Sequence, residues 1–223
     1  MLRRIGLPLL LLSLLLASGL HAANESIALV VKASGEAVRV TSANAEEALT
    51  TGMRLNDGDK LRTGTDGRVV LIFTDDKSQL KLVPETQIVL HGQRQGRSVD
   101  KEVEMDLGTL WTRVSRGGSG MRIATPTSVA SVKGTAWWTR IGEGGLTYVI
   151  TEEGVVNLLS KKSGENVDVS LGRIGSSDDD GAEVRDATGD DTEDLERGEL
   201  RTIQIPLQDE DGRQSMLTIE YYE

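Results

Sequence analysis

Short strand-like segments recur through most of this 223-residue chain, and their rhythm is the feature that most limits its fold. From Ile27 to Leu171, apolar-alternating runs of about four to seven residues follow one another about every eight to twelve residues. Turns rich in Gly, Asp and Asn separate the runs. This spacing is typical of an all-β sandwich, barrel or solenoid, and the lack of alternating strands and helices disfavours a parallel α/β sheet.

The clearest strand candidate has apolar side chains on both of its faces. Val69, Leu71 and Phe73 share one side, whereas Val70 and Ile72 share the other. A strand with one solvated face would alternate apolar and polar residues instead. We therefore expect both faces of this strand to be covered.

The N-terminal residues 1–22 predict a signal peptide. Arg3 and Arg4 precede an apolar run over residues 5–16, and a small-residue cleavage site precedes Ala23. The run is short for a membrane span, which needs about 20 apolar residues. We expect a periplasmic or secreted protein with no membrane span after leader cleavage; the alternative is an uncleaved N-terminal anchor.

The charge is concentrated in the C-terminal tail. The net charge of the chain is −10, and residues 176–223 alone carry 16 acidic and 4 basic residues. Residues 23–175 are balanced in charge. Nucleic-acid phosphates and anionic membranes both require a basic surface, so we expect neither as a partner.

Composition divides the mature chain into three parts. Residues 23–175 form the all-β domain, residues 176–199 read as an exposed acidic linker, and residues 200–223 predict a C-terminal β-hairpin. The expected apolar rows of the hairpin are Ile203, Ile205 and Leu207 against Leu217, Ile219 and Tyr221. A lone hairpin is marginal in water, so it should dock on the domain or on a partner.

The sequence shows no catalytic, cofactor-binding or metal-binding constellation. Cysteine is absent, and His91 is the only histidine outside the predicted leader. The carboxylate pairs Asp75-Asp76 and Glu152-Glu153 resemble glycosidase acids in composition, but they lie in predicted turns, where solvated acids are ordinary. We expect no enzyme activity, no cofactor and no metal.

Several motifs resemble the FecR domain family. They are Thr125-Pro126, Gly134-Thr135, and a segment over residues 147–156 that bends at Gly154. The resemblance covers roughly residues 38–171, with glycine-rich turns and a strand in the first half. It implies an exported, non-enzymatic, all-β module with short strands in a twisted β-solenoid-like or sandwich-like FecR domain, followed here by the C-terminal hairpin.

The resemblance also implies a role in the cell envelope. Founding members of the family are regulators that span the inner membrane, restrain a sigma factor with a cytoplasmic part and contact an outer-membrane receptor. In this chain a leader takes the place of the cytoplasmic part. We therefore expect an interaction module that engages another envelope protein in signalling or assembly; the alternative is binding of envelope polysaccharide or peptidoglycan.

Two adjacent tryptophans, Trp137 and Trp138, cannot share a strand face. In the family pattern the aromatic residue two positions after Gly-Thr points inward, which assigns Trp137 to the core with Thr135, Thr139 and Ile141. Trp138 would then lie outside as a candidate partner-binding residue. The alternative is that Trp138 packs beneath the C-terminal hairpin.

Overall fold

The computed structural model describes residues 26–41, 45–195, 198–208 and 212–222. The predicted signal peptide over residues 1–22 lies outside these ranges. The strands are β1 (Ala28–Ser34), β2 (Ala37–Val40), β3 (Glu46–Ala48), β4 (Arg54–Leu55), β5 (Lys60–Thr63), β6 (Arg68–Phe73), β7 (Gln79–Leu82), β8 (Gln87–Gln95), β9 (Ser98–Arg113), β10 (Met121–Ala124), β11 (Ser128–Val132), β12 (Ala136–Ile141), β13 (Thr147–Glu153), β14 (Val155–Ser160), β15 (Asn166–Ser170), β16 (Arg173–Ser177), β17 (Ala182–Asp186), β18 (Leu200–Gln208) and β19 (Gln214–Tyr222). A 3-10 turn covers Glu143–Gly145, and the short helix α1 covers Gly189–Thr192.

The first seventeen strands form one continuous sheet that folds over on itself at β9. The first sheet has the order β4-β1-β6-β7-β9-β12-β13-β16-β17. The second sheet has the order β3-β2-β5-β8-β9-β10-β11-β14-β15. The all-β prediction is confirmed, and of the two expected forms the structure is a two-layered sandwich.

Strand β9 belongs to both sheets, and Gly108 marks the change from one to the other. Residues 98–107 pair with β8 in the second sheet, whereas residues 108–113 pair with β12 in the first. Gly108 has a φ of +101°, and a Cβ there would lie 2.5 Å from the Cα of Thr86. Only glycine fits this combination of dihedral angle and close backbone approach.

The main hydrophobic core lies between the two sheets. Each strand contributes alternate residues to it, for example Val69, Leu71 and Phe73 from the first sheet and Ile88 and Leu90 from the second. These five side chains are fully buried. The period of two along each strand is therefore sufficient to explain which residues enter this core.

The opposite face of the first sheet is also covered, as the sequence of β6 predicted. Val70 and Ile72 are 4% and 2% exposed and belong to a second cluster together with Leu29 and Val31 of β1. We call this face, which points away from the second sheet, the outer face. The C-terminal residues lie over it.

The C-terminal hairpin of β18 and β19 docks on the outer face through side chains. Ile205, Ile219 and Tyr221 belong to the same cluster as the aliphatic residues of β1 and β6, and Ile203 and Leu217 pack against it. The predicted hairpin and its apolar face are confirmed for these five residues. The side chain of Leu207, predicted for the same face, lies outside the described side chains.

The acidic segment before the hairpin is more ordered than expected. Within residues 176–199, predicted as an exposed linker, β17 pairs with β16 along its whole length, and α1 follows. Ala182 is 7% exposed and begins this strand. Backbone pairing to β16 holds this short strand, and Val184 packs against the main core, but the acidic residues around it made the segment resemble a linker.

Candidate functional site

A row of large apolar side chains crosses the outer face of the first sheet. Trp138 of β12 lies directly opposite Trp111 of β9 and Ile150 of β13, and Ile150 lies opposite Ile174 of β16. These four residues are 1–5% exposed and form one cluster with Ala136. We call them the tryptophan row. Side chains opposite each other on neighbouring strands are in contact range, so the register itself assembles the row.

One carboxylate holds both outer tryptophans. The Nε1 of Trp111 donates to Oε2 of Glu152 at 3.0 Å, and the Nε1 of Trp138 donates to Oε1 at 3.0 Å. An indole N–H needs an acceptor when it is buried, and a charged acceptor makes the stronger hydrogen bond. Glu152 thus fixes the orientation of two rings from two different strands.

The sequence prediction placed Glu152 in a solvated turn, and this placement is wrong. Glu152 lies within β13, half-buried, two residues after Ile150 and therefore on the same face. The signal for its role was present in the alternation of β13. The sequence alone did not identify this role, because Trp111 is 41 residues away and only the strand register brings it beside Glu152.

The C-terminal residues close over the tryptophan row. Ala187 and Leu195 from the segment after β17, and Tyr222 from β19, pack against the cluster. The Tyr222 ring meets Trp111 edge-on, with ring centroids 5.3 Å apart and an interplanar angle of 71°. The Arg113 guanidinium lies 5.4 Å from the centroid of the Tyr222 ring, in cation–π geometry.

Ion pairs fasten the segment after β17 to the sheet. The Arg185 guanidinium donates to both carboxylate oxygens of Asp191, at 2.7 and 2.6 Å, and Arg140 donates to Asp194 at 2.6 Å. The hydrogen bond from Arg185, with those from Thr188, holds the pKa of the Asp191 carboxyl well below its usual range. This bidentate contact fixes the relative orientation of the guanidinium and the carboxylate.

The structure corrects the expected position of Trp138. Its ring lies on the face opposite Trp137, as predicted, but it is 2% exposed instead of projecting into solvent. The reason is that residues after β17 return across the outer face and Tyr222 completes the cover. Burial beneath the C-terminal part, the alternative we left open, is what the cluster shows. A role of Trp138 in partner binding stays a prediction and requires this cover to open.

Trp137 lies in the core between the sheets. It is 0% exposed, belongs to the main cluster, and its Nε1 donates to Oγ1 of Thr139 at 2.9 Å. Ile141 packs against the same cluster. The predicted inward orientation of this strand face is confirmed.

The remaining residues of the FecR-like motifs lie at two structural junctions. Thr125 precedes Pro126 in the turn between β10 and β11, where its Oγ1 accepts from the Ser128 N–H at 3.0 Å and lies 2.6 Å from Oγ1 of Thr147. This buried hydroxyl contact ties the turn to the start of β13. Every named hydroxyl here has a hydrogen-bond partner, as burial requires.

The second junction joins the Gly-Thr motif to the bend after β13. The Oγ1 of Thr135 donates to the carbonyl of Val155 at 3.2 Å. Gly134 and Gly154 have φ values of +87° and +78°, and a Cβ on Gly154 would lie 3.0 Å from the Thr135 hydroxyl. Both glycines therefore occupy backbone conformations that other residues rarely adopt. Gly134 and Gly154 therefore have a structural role where two bends of the chain meet.

The first carboxylate pair is part of a buried charge cluster. Lys101 is 0% exposed, and its Nζ donates to Oδ2 of Asp75 at 2.7 Å and to Oδ2 of Asp76 at 2.9 Å. Ser119 accepts a further hydrogen bond from Nζ at 3.0 Å. The expectation of solvated turn acids is therefore wrong for this pair. The cluster connects the turn after β6 to β9 and to the loop before β10.

No group of three or more His, Cys, Asp or Glu side chains that could hold a metal ion occurs in the part of the chain that the structure describes. Among the same residues, no helix has the length and apolar character to cross a membrane.

Part of the chain matches a known protein family. Residues 59–157 match the model of the family described as FecR protein. This part of the chain is therefore similar to a FecR domain. The matched range runs from the turn before β5 into β14, so it includes the strand shared by the two sheets and both motif junctions. The strands before and after the matched range complete both sheets, and the hairpin lies outside it.

Two crystal structures of a proposed anti-sigma factor from Parabacteroides distasonis are similar to this chain. Both are 15% identical to it, with TM-scores of 0.46 and 0.45. The similarity covers 58% of this chain and 59% of theirs, so the chain spans less than two thirds of those proteins. No curated protein sequence matches the chain.

Proposed function

We propose that this chain is a non-catalytic interaction module that is exported to the cell envelope and engages another envelope protein in signalling or assembly. The observation that carries the proposal is the FecR domain over residues 59–157. The leader-like residues 1–22 support export, to the periplasm or beyond. The balanced charge of residues 23–175 favours a protein partner over nucleic acid.

The covered outer face supports the same proposal. A sheet face with two outer tryptophans and six large aliphatic residues is a large apolar surface, and proteins keep such surfaces covered unless a partner binds there. Here the cover comes from the C-terminal hairpin and the segment before it, both outside the FecR domain. The apolar outer face and its C-terminal cover together form the interaction module that we propose.

Affinity capture from envelope extract tests this function. The full chain should be expressed with its own leader, and its cellular fraction and N-terminus determined before capture. We expect a leaderless protein in the envelope fraction and one stoichiometric protein partner. Retention in the cytoplasm contradicts export.

Envelope glycan is the outcome that would redirect the function. Purified peptidoglycan and polysaccharide should be offered to the same chain, with Trp138→Phe compared against wild type. Retention on glycan without any protein partner contradicts the proposed interaction with a protein. Because both outer tryptophan rings are buried, neither offers a stacking platform while the cover is closed.

A further inference from the structure

A cleft follows the seam between strand β19 and the body of the sandwich. It consists of two hollows that meet at Lys77, which lines both. One hollow, of about 550 Å³, is lined by Gln79, Arg113, Thr218 and Glu220 among others. The other, of about 270 Å³, is more enclosed and is lined by Ser26, Leu29, Arg54, Ile72, Phe73, Thr74 and Leu217. We call this space the seam cleft.

One wall of the seam cleft is an open strand edge. Within the described residues, β19 pairs with β18 alone. The carbonyl of Glu220 accepts from Nε2 of Gln79 at 2.7 Å, so it points away from β18 and into the seam. Because backbone groups alternate in direction along an antiparallel strand, those of Thr218 point the same way.

The other edge of the hairpin is less suited to accept a strand. Pro206 of β18 lies opposite Met216, which is in phase with Thr218 and Glu220. Its backbone nitrogen therefore points away from β19, to the outer edge of β18. A proline has no N–H to offer, and prolines are a common means of blocking an exposed edge. The hairpin thus presents one blocked edge and one open edge, and the open edge lies in the cleft.

An unpaired acceptor lies beside the open edge. The Oε1 of Gln79 is buried and has no hydrogen-bond partner in the described residues, although Nε2 of the same amide is used. A buried acceptor without a donor costs free energy, and few native groups are left in this state. A backbone N–H of a strand lying along β19 would supply the missing donor.

The cleft is basic in a chain that is acidic overall. Lys77, Arg54 and Arg113 line it against a single acidic residue, Glu220, whereas the net charge of the chain is −10. Lys77 is exposed and forms no ion pair within the described residues, and Arg113 meets Glu153 only at 4.0 Å. This charge pattern complements a segment that carries carboxylates.

We propose that the seam cleft binds an extended segment of a partner protein, which adds as a strand to the open edge of β19. An aliphatic side chain of that segment fills the hollow between Leu29, Ile72 and Leu217, and a carboxylate lies near Lys77. This inference rests on the proposed function, since it names how the partner protein is held. In strand addition the backbone hydrogen bonds give affinity, and the side-chain pockets give specificity.

Two synthetic peptides test the chemistry of the cleft on the full chain. One alternates valine with glutamate and the other alternates valine with lysine, and fluorescence anisotropy measures their binding. We expect the glutamate peptide to bind at least about tenfold more tightly than the lysine peptide, which corresponds to about 1.4 kcal/mol. Amide hydrogen exchange should show new protection at Thr218 and Glu220.

Matched variants locate the binding. Thr218→Pro removes an N–H from the open edge, whereas Thr202→Pro removes one from the blocked edge of the same hairpin. Lys77→Glu reverses a charge in the cleft, whereas Lys133→Glu reverses one at an exposed lysine elsewhere. We expect Thr218→Pro and Lys77→Glu each to weaken binding of the glutamate peptide about tenfold or more, and the two controls to leave it unchanged.

The outcomes separate this inference from the proposed function. If the glutamate peptide does not bind the wild-type chain, the proposed strand addition is overturned. Equal binding by wild type, Thr218→Pro and Lys77→Glu also overturns it. If Thr218→Pro fails to fold, equal binding by wild type and Lys77→Glu decides. Capture of an envelope protein under those conditions leaves the proposed function standing. Peptide binding without any captured protein overturns the proposed function. If the wild-type chain is a dimer and Thr218→Pro dissociates it, the open edge binds a second copy of this chain. That result overturns the proposal that the edge binds a separate partner protein.

Discussion

Trp137 shows what one buried ring contributes to this sandwich. It fills the space between the sheets, and its N–H is satisfied by Thr139. We expect Trp137→Ala to lower the free energy of unfolding by about 3–5 kcal/mol, because the substitution leaves a cavity in the core. Urea denaturation measures this, with Trp137→Phe as the control that keeps part of the ring. An unchanged midpoint for Trp137→Ala would contradict the assignment.

Lys101 gives a second prediction at the scale of single residues. Asp75 and Lys101 are nearly solvent-free, with side chains 3% and 0% exposed. We expect Asp75→Ala to destabilise by about 1.5–3 kcal/mol, because the buried ammonium keeps Asp76 but loses one of its two carboxylate acceptors. The exposed pair of Lys162 and Asp179 is the control, and Asp179→Ala should cost at most about 1 kcal/mol. Thermal denaturation of both variants decides, and equal losses would refute the argument.

Residue patterns predicted faces well and contacts poorly. The alternation in β6 was sufficient to assign both of its faces, and the same rule placed Trp137 inside. The contacts of Lys101 with Asp75 and of Glu152 with Trp111 join residues 26 and 41 positions apart. Such pairs depend on strand order and register, which no local pattern specifies. This is why Asp75, Asp76 and Glu152 were misread as solvated turn residues.

At the scale of elements, the C-terminal hairpin is a cover for the outer face. Deleting residues 200–223 should expose Leu29, Val31, Val70 and Ile72, which are now at most 5% exposed. We expect increased binding of a hydrophobic dye and concentration-dependent aggregation, because a contiguous apolar surface becomes accessible. Dye fluorescence and light scattering measure the two effects.

A point variant provides the control for the deletion. Met216 lies on the hairpin but is 58% exposed, so Met216→Asp should leave both dye binding and solubility unchanged. Ile219→Asp, which places a charge at a 2% exposed position, should reproduce the deletion. If the deleted chain stays monomeric and binds no more dye, the hairpin does not cover the face in solution.

The C-terminal elements also show where composition misleads. The hairpin was predictable, because its strands alternate clearly and flank an acidic turn. Strand β17 was not, because the acidic composition around it is typical of linkers. Its pairing with β16, and the Arg185–Asp191 contact that follows, depend on the neighbouring strand being present. The covered position of Trp138 follows from the same return of the chain.

At the scale of the whole molecule, the two sheets should unfold together. Strand β9 hydrogen-bonds in both sheets, and one core cluster joins them. We expect a single urea transition with coincident midpoints for tryptophan fluorescence and far-ultraviolet circular dichroism. All three tryptophans lie in the first sheet, whereas the dichroism reports both sheets. A fluorescence midpoint separated from the dichroism midpoint would show that the sheets unfold independently.

The shared strand also determines where the sequence can change in length. Inserting or deleting one residue in a strand moves every later side chain to the opposite face. In most strands here the damage would stay within one sheet, but in β9 an insertion before Gly108 would shift that glycine away from Thr86 and misalign residues 108–113 with β12. Length variation among related chains should therefore fall in the loops and spare residues 98–113, whatever partner each chain binds.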